Sequence, residues 1–281
     1  MTTGTSTGST MDRFRLDGRV VAITGAAGLL GRRFAGALAD AGASLVLLDL
    51  EAPETTRLEI AGRLAPTAGA LALACDVRDD ASVTAARDAA EATLGPLSGL
   101  VNAAAINSVP STEGAGTDGP FATTSSAAIA AALDVNLEGV VRCCRILGAP
   151  MAERGRGAIV NIASHYGIVG PDQRMYASLR EAGQDFHKPV AYTVAKAGVI
   201  GLTRYLAGYW GADGVRVNTL SPGGAFDDQD PGFVAAYASR TPMGRMAHAD
   251  EYDAAVVFLL SDAASYMTGA NLVIDGGFTA W

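Results

Sequence analysis

The sequence predicts an α/β fold: a Rossmann-type doubly wound parallel sheet of about seven strands with helices on both faces. Three observations carry that expectation. Short runs that are apolar throughout, such as Val20-Val21-Ala22-Ile23 and Leu45-Val46-Leu47-Leu48, alternate with longer segments of helical periodicity. A glycine turn, Thr24-Gly25-Ala26-Ala27-Gly28-Leu29-Leu30-Gly31, stands between the first run and the first helical segment. An acidic residue, Asp49, closes the second run.

The elements follow in order. Residues 1–15 are rich in Thr, Ser and Gly, carry no apolar stretch, and read as a mobile tail rather than a secretory signal. Strands are expected at 19–24, 44–49, 70–75, 99–103, 158–163, 215–220 and 272–274. Helices are expected at 31–41, 81–94, 127–147, 190–208 and 249–260. Alternating β and α segments imply parallel pairing through right-handed crossovers, in one domain over 16–281. No internal repeat is present. Two stretches interrupt the rhythm: 107–126, rich in Gly, Ser, Thr and Pro, and a polar insert at 167–189. Both follow the carboxyl ends of strands, the edge at which open α/β sheets bind ligands.

Composition narrows the function. Of the 281 residues, 49% are apolar and 18% charged, as in an ordinary globular chain. A net charge of -8 argues against nucleic acid or anionic lipid as partner. No apolar run reaches the roughly 18 residues that a membrane span needs, which fits a cytoplasmic protein. Cys75, Cys143 and Cys144 form neither a disulfide framework nor a metal-binding spacing and read as buried thiols. No metal is expected.

In the glycine turn, Gly25 allows the tight bend, Gly28 lets the backbone approach a pyrophosphate, and Gly31 lets the helix pack closely. The helix start at Leu29 and Leu30 offers unpaired N–H groups to phosphate. A tight βα turn without ligand has the same glycines. Asp49, about 20 residues on, suits the ribose 2′-hydroxyl of NAD and repels the 2′-phosphate of NADP, although it could equally cap a turn. Arg32 and Arg33 read as helix-surface or pyrophosphate-side charges. Asp76, in Cys75-Asp76-Val77, is placed either to reach an adenine amine or to cap its loop.

Tyr192 and Lys196 lie four apart at the start of a helical pattern, hence on one face. A lysine cation within about 4–6 Å favours the phenolate and lowers the tyrosine pKa toward the range of a useful acid or base. Alone, the pair is also a common surface arrangement.

Together these stretches resemble the short-chain dehydrogenase/reductase family, from about Leu16 to Trp281. The resemblance also includes Asn102-Ala103-Ala104, Asp134-Val135-Asn136-Leu137, Ile159-Val160-Asn161-Ile162-Ala163-Ser164, Arg216-Val217-Asn218-Thr219-Leu220-Ser221-Pro222-Gly223 and Asp275-Gly276-Gly277. It implies that Tyr192 exchanges the proton of the reacting alcohol or carbonyl. It implies that Lys196 holds the nicotinamide ribose and depresses the tyrosine pKa. Ser164 would bond the substrate oxygen, and Asn136 would hold a water linking Lys196 to solvent. Gly25, Gly28, Leu29, Leu30, Asp49, Asp76, Val77, Asn102, Ala103, Pro222 and Gly223 would complete an NAD site, with Tyr192 and Lys196 also touching the cofactor. A homotetramer or homodimer is implied as well.

The chain departs from the usual single-domain pattern. Its glycine spacing, Gly25-x-x-Gly28-x-x-Gly31, is nearer that of members that epimerise or dehydrate nucleotide sugars, but its C-terminal region is short. Asn102-Ala103-Ala104-Ala105 lacks a common second Asn and Gly, and Gly224-Ala225-Phe226-Asp227 lacks a common Thr. Ser164 and Tyr192 stand 28 residues apart, much farther than usual. The insert between them holds Arg174, Arg180 and Lys188, which would meet an anion or face solvent. His165, Tyr166 and Phe226 are candidate substrate contacts. Together with Pro242-Met243-Gly244-Arg245-Met246, the insert is similar to oxidoreductases of sialic-acid-like sugar pathways. The expected activity is NAD-dependent interconversion of a secondary alcohol and a ketone on a polar, sugar-like small molecule. A nucleotide-sugar epimerase or dehydratase with tightly held NAD is the alternative, and a non-catalytic NAD-binding regulator is a third reading.

Overall fold

A computed structural model describes residues 9–107 and 119–281. Seven strands form one sheet in the order β3-β2-β1-β4-β5-β6-β7, with every neighbouring pair parallel. They are β1 Val20–Thr24, β2 Ser44–Asp49, β3 Ala70–Ala74, β4 Gly99–Asn102, β5 Gly157–Ile162, β6 Val215–Pro222 and β7 Asn271–Ile274. All seven lie within two residues of their expected bounds. The chain runs outward from β1 through β2 to β3, then returns to β1's other side as β4. That reversal leaves a crevice at the carboxyl ends of β1 and β4.

Successive strand side chains point to opposite faces. In β1, Val20 and Ala22 enter the core on one face, and Val21 and Ile23 enter the core on the other. In β2, Val46 and Leu48 oppose Leu45 and Leu47 in the same way. With both faces covered, every position is apolar, which is why these strands read as unbroken runs.

The helices are α1 Leu29–Asp40, α2 Glu54–Ile60, α3 Asp80–Leu94, α4 Ser126–Leu133, α5 Gly139–Cys143, α6 Ala149–Glu153, α7 Ala177–Glu181, α8 Val190–Trp210, α9 Pro231–Ala238 and α10 Asp253–Leu260. Helices α1 and α10 cover one face, through Phe34, Leu38, Val256 and Leu259. Helices α3, α5 and α8 cover the other, through Val83, Val140, Val199 and Trp210. Short α2, α7 and α9 were not among the expected helices. The single helix expected at 127–147 is interrupted by two π turns, Asp134–Glu138 and Cys144–Gly148. Nearby glycines allow close approach there: a Cβ on Gly139 would stand 2.9 Å from Val77 Cγ2, and one on Gly148 the same distance from Ile159 Cδ1.

The tail expected at 1–15 lies outside the described residues up to residue 8. Beyond it, Met11–Phe14 form a 3-10 turn, and Arg13 donates to the Asp262 carbonyl at 3.0 Å, so this part is tied to the body. Part of the 107–126 stretch, residues 108–118, also lies outside the described residues.

The insert builds a third core. Met175, Tyr176, Leu179 and Phe186 pack with Tyr166 and with Phe233, Tyr237 and Met246 from the segment around α9. Ser178 Oγ donates to Asp230 Oδ1 at 2.8 Å, and Arg240 pairs with Asp172 at 2.7 Å. The insert and α9 together form a cap on the sheet's carboxyl edge.

Replacing Gly31 by Ala tests the packing at the crevice. Its Cβ would stand 2.0 Å from the Gly25 carbonyl oxygen and 2.9 Å from Ala26 Cα. The expected cost is about 1–3 kcal/mol in a urea melt. Gly62→Ala, whose Cβ would meet nothing within 4 Å, is the control and should stay within about 0.5 kcal/mol of the parent.

Candidate active site

The crevice begins where β1 ends. Thr24 Oγ1 accepts from the amides of Ala103 at 3.1 Å and Ala104 at 3.2 Å, binding the two strand ends together. Gly25 has φ +68°, and its missing Cβ would stand 2.7 Å from Ala104 N and Cα. Helix α1 then starts with Gly28 as N-cap and no side-chain cap, so its first N–H groups remain available.

Two clefts adjoin here. One of about 480 Å³ is lined by Gly25, Gly28, Asp49, Asp76, Val77 and Ala103–Ile106 among others. The other, of about 320 Å³, is lined by Gly25, Gly28, Leu29, Leu30, Ala103, Ser164, Tyr192, Lys196, Pro222 and Gly223, together with residues of the cap. The shared glycine turn between two clefts, with a donor-rich helix start beside it, fits a dinucleotide: one half on each side, pyrophosphate at α1.

The proton-handling groups converge in the second cleft. Ser164 follows β5, and its Oγ accepts from the Tyr166 amide at 3.1 Å. Ser164 neighbours the Tyr192 hydroxyl and favours its ionised form. Tyr192 lies in the first turn of α8, with Lys196 one turn later. Lys196 is buried, donates from Nζ to the Ile162 carbonyl at 2.8 Å, and lies 5.7 Å from the Tyr192 ring centre. Burial pushes its ammonium down to about 8. The expectation that Lys196 depresses the Tyr192 pKa is not what the structure displays. Burial raises the phenol above the usual tyrosine value, and the neighbouring Ser164 opposes that rise.

Asn136 is buried in the first π turn, but its amide is spent on the backbone. Its Oδ1 accepts from Ile106 N at 2.7 Å and its Nδ2 donates to Ile106 O at 2.8 Å. It therefore fixes the loop after β4. Asn102 lines neither cleft. Its Nδ2 donates to Asn161 Oδ1 at 2.8 Å, and Asn161 donates to Thr203 Oγ1 at 2.9 Å, so it belongs to a buried polar chain linking β4, β5 and α8.

Asp49 lies at the mouth of the larger cleft. Its carboxylate accepts from Ala27 N and Leu50 N, both at 2.9 Å. Asp76 accepts from the Arg78 amide at 2.9 Å and forks with the Arg78 guanidinium, which holds its carboxyl below the usual range. Asp76 thus caps its loop, and it also lines the larger cleft. Arg32 forks Glu59, and Arg33 pairs with Asp253 at 2.7 Å, so both guanidiniums are engaged by acids.

On the substrate side, His165 and Tyr166 line the smaller cleft as expected, and Phe226 does not. Phe226 is 44% exposed, while its neighbours Ala225, Asp227 and Gln229 face the cleft. The insert reaches the cleft with one aromatic and one cationic side chain. Arg174 pairs with Asp172 in solvent and Arg180 binds the carbonyls of Gln173 and Phe186. Tyr176 and Lys188 reach the cleft, joined by Phe233, Tyr237 and Met246. Tyr237 was not singled out in the sequence, because only the folding of α9 under the insert brings it there.

All three thiols are free and buried. Burial pushes Cys144 up to about 12 and Cys143 well above its usual value, so neither is a nucleophile. Among the described residues, no group of three His, Cys, Asp or Glu side chains could hold a metal ion, and no helix is long and apolar enough to cross a membrane.

A family profile described as enoyl-(acyl carrier protein) reductase matches residues 25–279. The chain is 40% identical over 272 residues to a D-threitol dehydrogenase of Mycolicibacterium smegmatis, covering 95% of each. It is 36% identical over 274 residues to a galactitol 2-dehydrogenase (L-tagatose-forming) of Cereibacter sphaeroides, covering 95% of this chain and 98% of that one. Among solved structures, it is similar to a gluconate 5-dehydrogenase from Burkholderia cenocepacia in complex with NADP and tartrate. The TM-score is 0.82 at 30% identity, covering 97% of this chain and 100% of that one.

His165 supplies a pH signature of the folded site. It is buried, its Nδ1 lies 3.1 Å from the Pro222 carbonyl, and burial pushes its pKa down to about 4 from 6.5. Between those values the unfolded chain binds more protons than the folded one, so stability rises with pH across that window. It is complete above the unfolded value and falls, by on the order of 3 kcal/mol, as pH drops toward the folded value. Urea melts at several pH values should give a shallower slope over this range for His165→Asn than for the parent. Equal slopes would contradict the buried neutral imidazole.

Proposed function

The chain belongs to the short-chain dehydrogenase/reductase family, and from that premise we propose that it is an NAD-linked dehydrogenase of small polyols, interconverting a secondary alcohol and a ketone. The carrying observation is the convergence of Ser164, Tyr192 and Lys196 in a cleft that continues into the glycine cradle. The nicotinamide cofactor, when bound, takes the hydride from the carbinol carbon.

The protein's part is proton transfer and positioning. In the oxidative direction the Tyr192 oxygen removes the hydroxyl proton of the alcohol. The Tyr166 amide fills one lone pair of Ser164 Oγ, leaving its hydroxyl proton to face the reacting oxygen. That hydrogen bond strengthens as alkoxide charge develops. Lys196 carries its charge beneath this group from a buried position near Ile162. Asn136 keeps the loop after β4 in place through Ile106. Gly25, Gly28, Leu29 and Leu30 would hold the pyrophosphate, and Pro222 and Gly223 would border the nicotinamide.

NAD is our reading rather than NADP. Asp49 presents a carboxylate where a 2′-phosphate would be repelled. Arg32 and Arg33 are already paired with acids. The substrate reading rests on the named relatives, which act on threitol and galactitol. It also rests on a cleft lined both by the polar groups Ser164, Tyr192 and Lys196 and by the aromatic rings of Tyr166, Tyr176 and Tyr237. This moves the substrate away from sialic-acid-like sugars and toward simple alditols.

Assay of four- to six-carbon alditols should give reduced nicotinamide with NAD and far less with NADP. Reaction only with lipophilic alcohols would contradict the substrate class. Conversion of a nucleotide sugar without net NADH would favour the epimerase or dehydratase suggested by the glycine spacing. Asp49→Ser is expected to lower the NAD-to-NADP ratio of kcat/KM at least about tenfold, or ~1.4 kcal/mol.

A further inference from the structure

We propose that the insert between Ser164 and Tyr192 exists to deliver a second cation, Lys188, onto the face of Tyr192, where it favours the phenolate and so positions the proton transfer in the active pH range. This deepens the reading of Tyr192 as the acid–base group and rests on it.

Lys188 is buried, and its Nζ stands 4.3 Å from the Tyr192 ring centre, closer than the 5.7 Å of Lys196. A cation over an aromatic face is attracted by the ring itself, and more strongly as the ring becomes a phenolate. The placement is built. Gln173 grips the Lys188 backbone from both sides: its Oε1 accepts from Lys188 N at 2.9 Å and its Nε2 donates to Lys188 O at 3.0 Å. Arg180 ties the same turn together by donating to the carbonyls of Gln173 at 2.9 Å and Phe186 at 3.1 Å. Asn107, from the loop after β4, accepts from Lys188 Nζ.

The surroundings leave a role for this charge. Among the described residues lining the cleft, the other titratable groups are Lys196, His165, Tyr166, Tyr176, Tyr237 and Asp227. Burial keeps the three tyrosines protonated and His165 neutral at ordinary pH. Asp227 is the one carboxylate of the set, and the lysines are its two cations. Outside the cleft, His187 next to Lys188 stands 3.5 Å from Asp185. Burial opposes ionisation of Tyr192 and also lowers Lys196 to about 8, so Lys196 loses charge where the phenolate must form. A second cation offsets that loss.

The test compares Lys188→Met, Lys188→Arg and Gln173→Leu in the full-length protein. The first readout is the pH profile of kcat/KM for alcohol oxidation, which rises as Tyr192 ionises. Lys188→Met should move that limb up by about one pH unit, a tenfold lower phenolate fraction at a given pH below it. Lys188→Arg should restore the limb, and Gln173→Leu should shift it in the Met direction. The second readout is NMR of the protein labelled with ¹³C at the tyrosine ζ carbon. The Tyr192 resonance is the one lost in Tyr192→Phe, and its midpoint should move by the same amount. An unmoved midpoint would overturn the proposal. So would a raised KM with an unmoved limb, because Lys188 would then serve the substrate. The resonance titrates without turnover, so failure of the polyol reading leaves this second readout decisive. If Lys188→Met does not fold, Gln173→Leu and Lys188→Arg carry the comparison.

Discussion

At the end of β1 the backbone of Gly25 packs against the loop that leaves β4, where any Cβ would stand 2.7 Å from Ala104 N and Cα. The rest of the site depends on this contact. It sets the depth of the crevice and places the start of α1 against the two clefts. Gly31 extends the same constraint, since α1 lies on the Gly25 carbonyl with no room for a methyl group. Thr24 completes it by binding the amides of Ala103 and Ala104. A helix end is brought close to a strand crossover with its N–H groups unspent.

The second constraint is electrostatic. A tyrosine must ionise in a partly enclosed cleft, and its burial there works against it. Ser164 opposes that effect at short range, and the role proposed for Lys188 over the ring adds to this opposition. The cap formed by the insert and α9 both creates the low-polarity wall and holds Lys188 in it. Low polarity strengthens each of these interactions, so the cap's aromatic side chains and its lysine act together.

Much of this was legible in the sequence. The central strands were visible because they are covered on both faces and therefore mostly apolar. Ser164, Tyr192 and Lys196 were visible because they sit on elements whose geometry is fixed by short local motifs. What was hidden depended on partners distant in the chain. Asn136 meets Ile106, and Asn102 meets Asn161, and neither pairing has a sequence signature. The insert looked polar because its charged residues are numerous, but Arg174 and Arg180 turn to solvent or backbone while Tyr176 turns inward. Lys188 lies four residues before Tyr192, yet Pro189 is the N-cap of α8, so helical spacing gave no warrant for pairing them.

The central claim is that Tyr192 carries the proton and that the cofactor is held by other groups. The most direct measurement pairs NAD binding, followed by fluorescence titration, with a single turnover of alcohol oxidation in Tyr192→Phe. The account predicts NAD affinity within a few-fold of the parent and a turnover rate lower by about 10²–10⁴. Turnover near the parent rate would contradict it, and so would loss of NAD binding in step with loss of turnover.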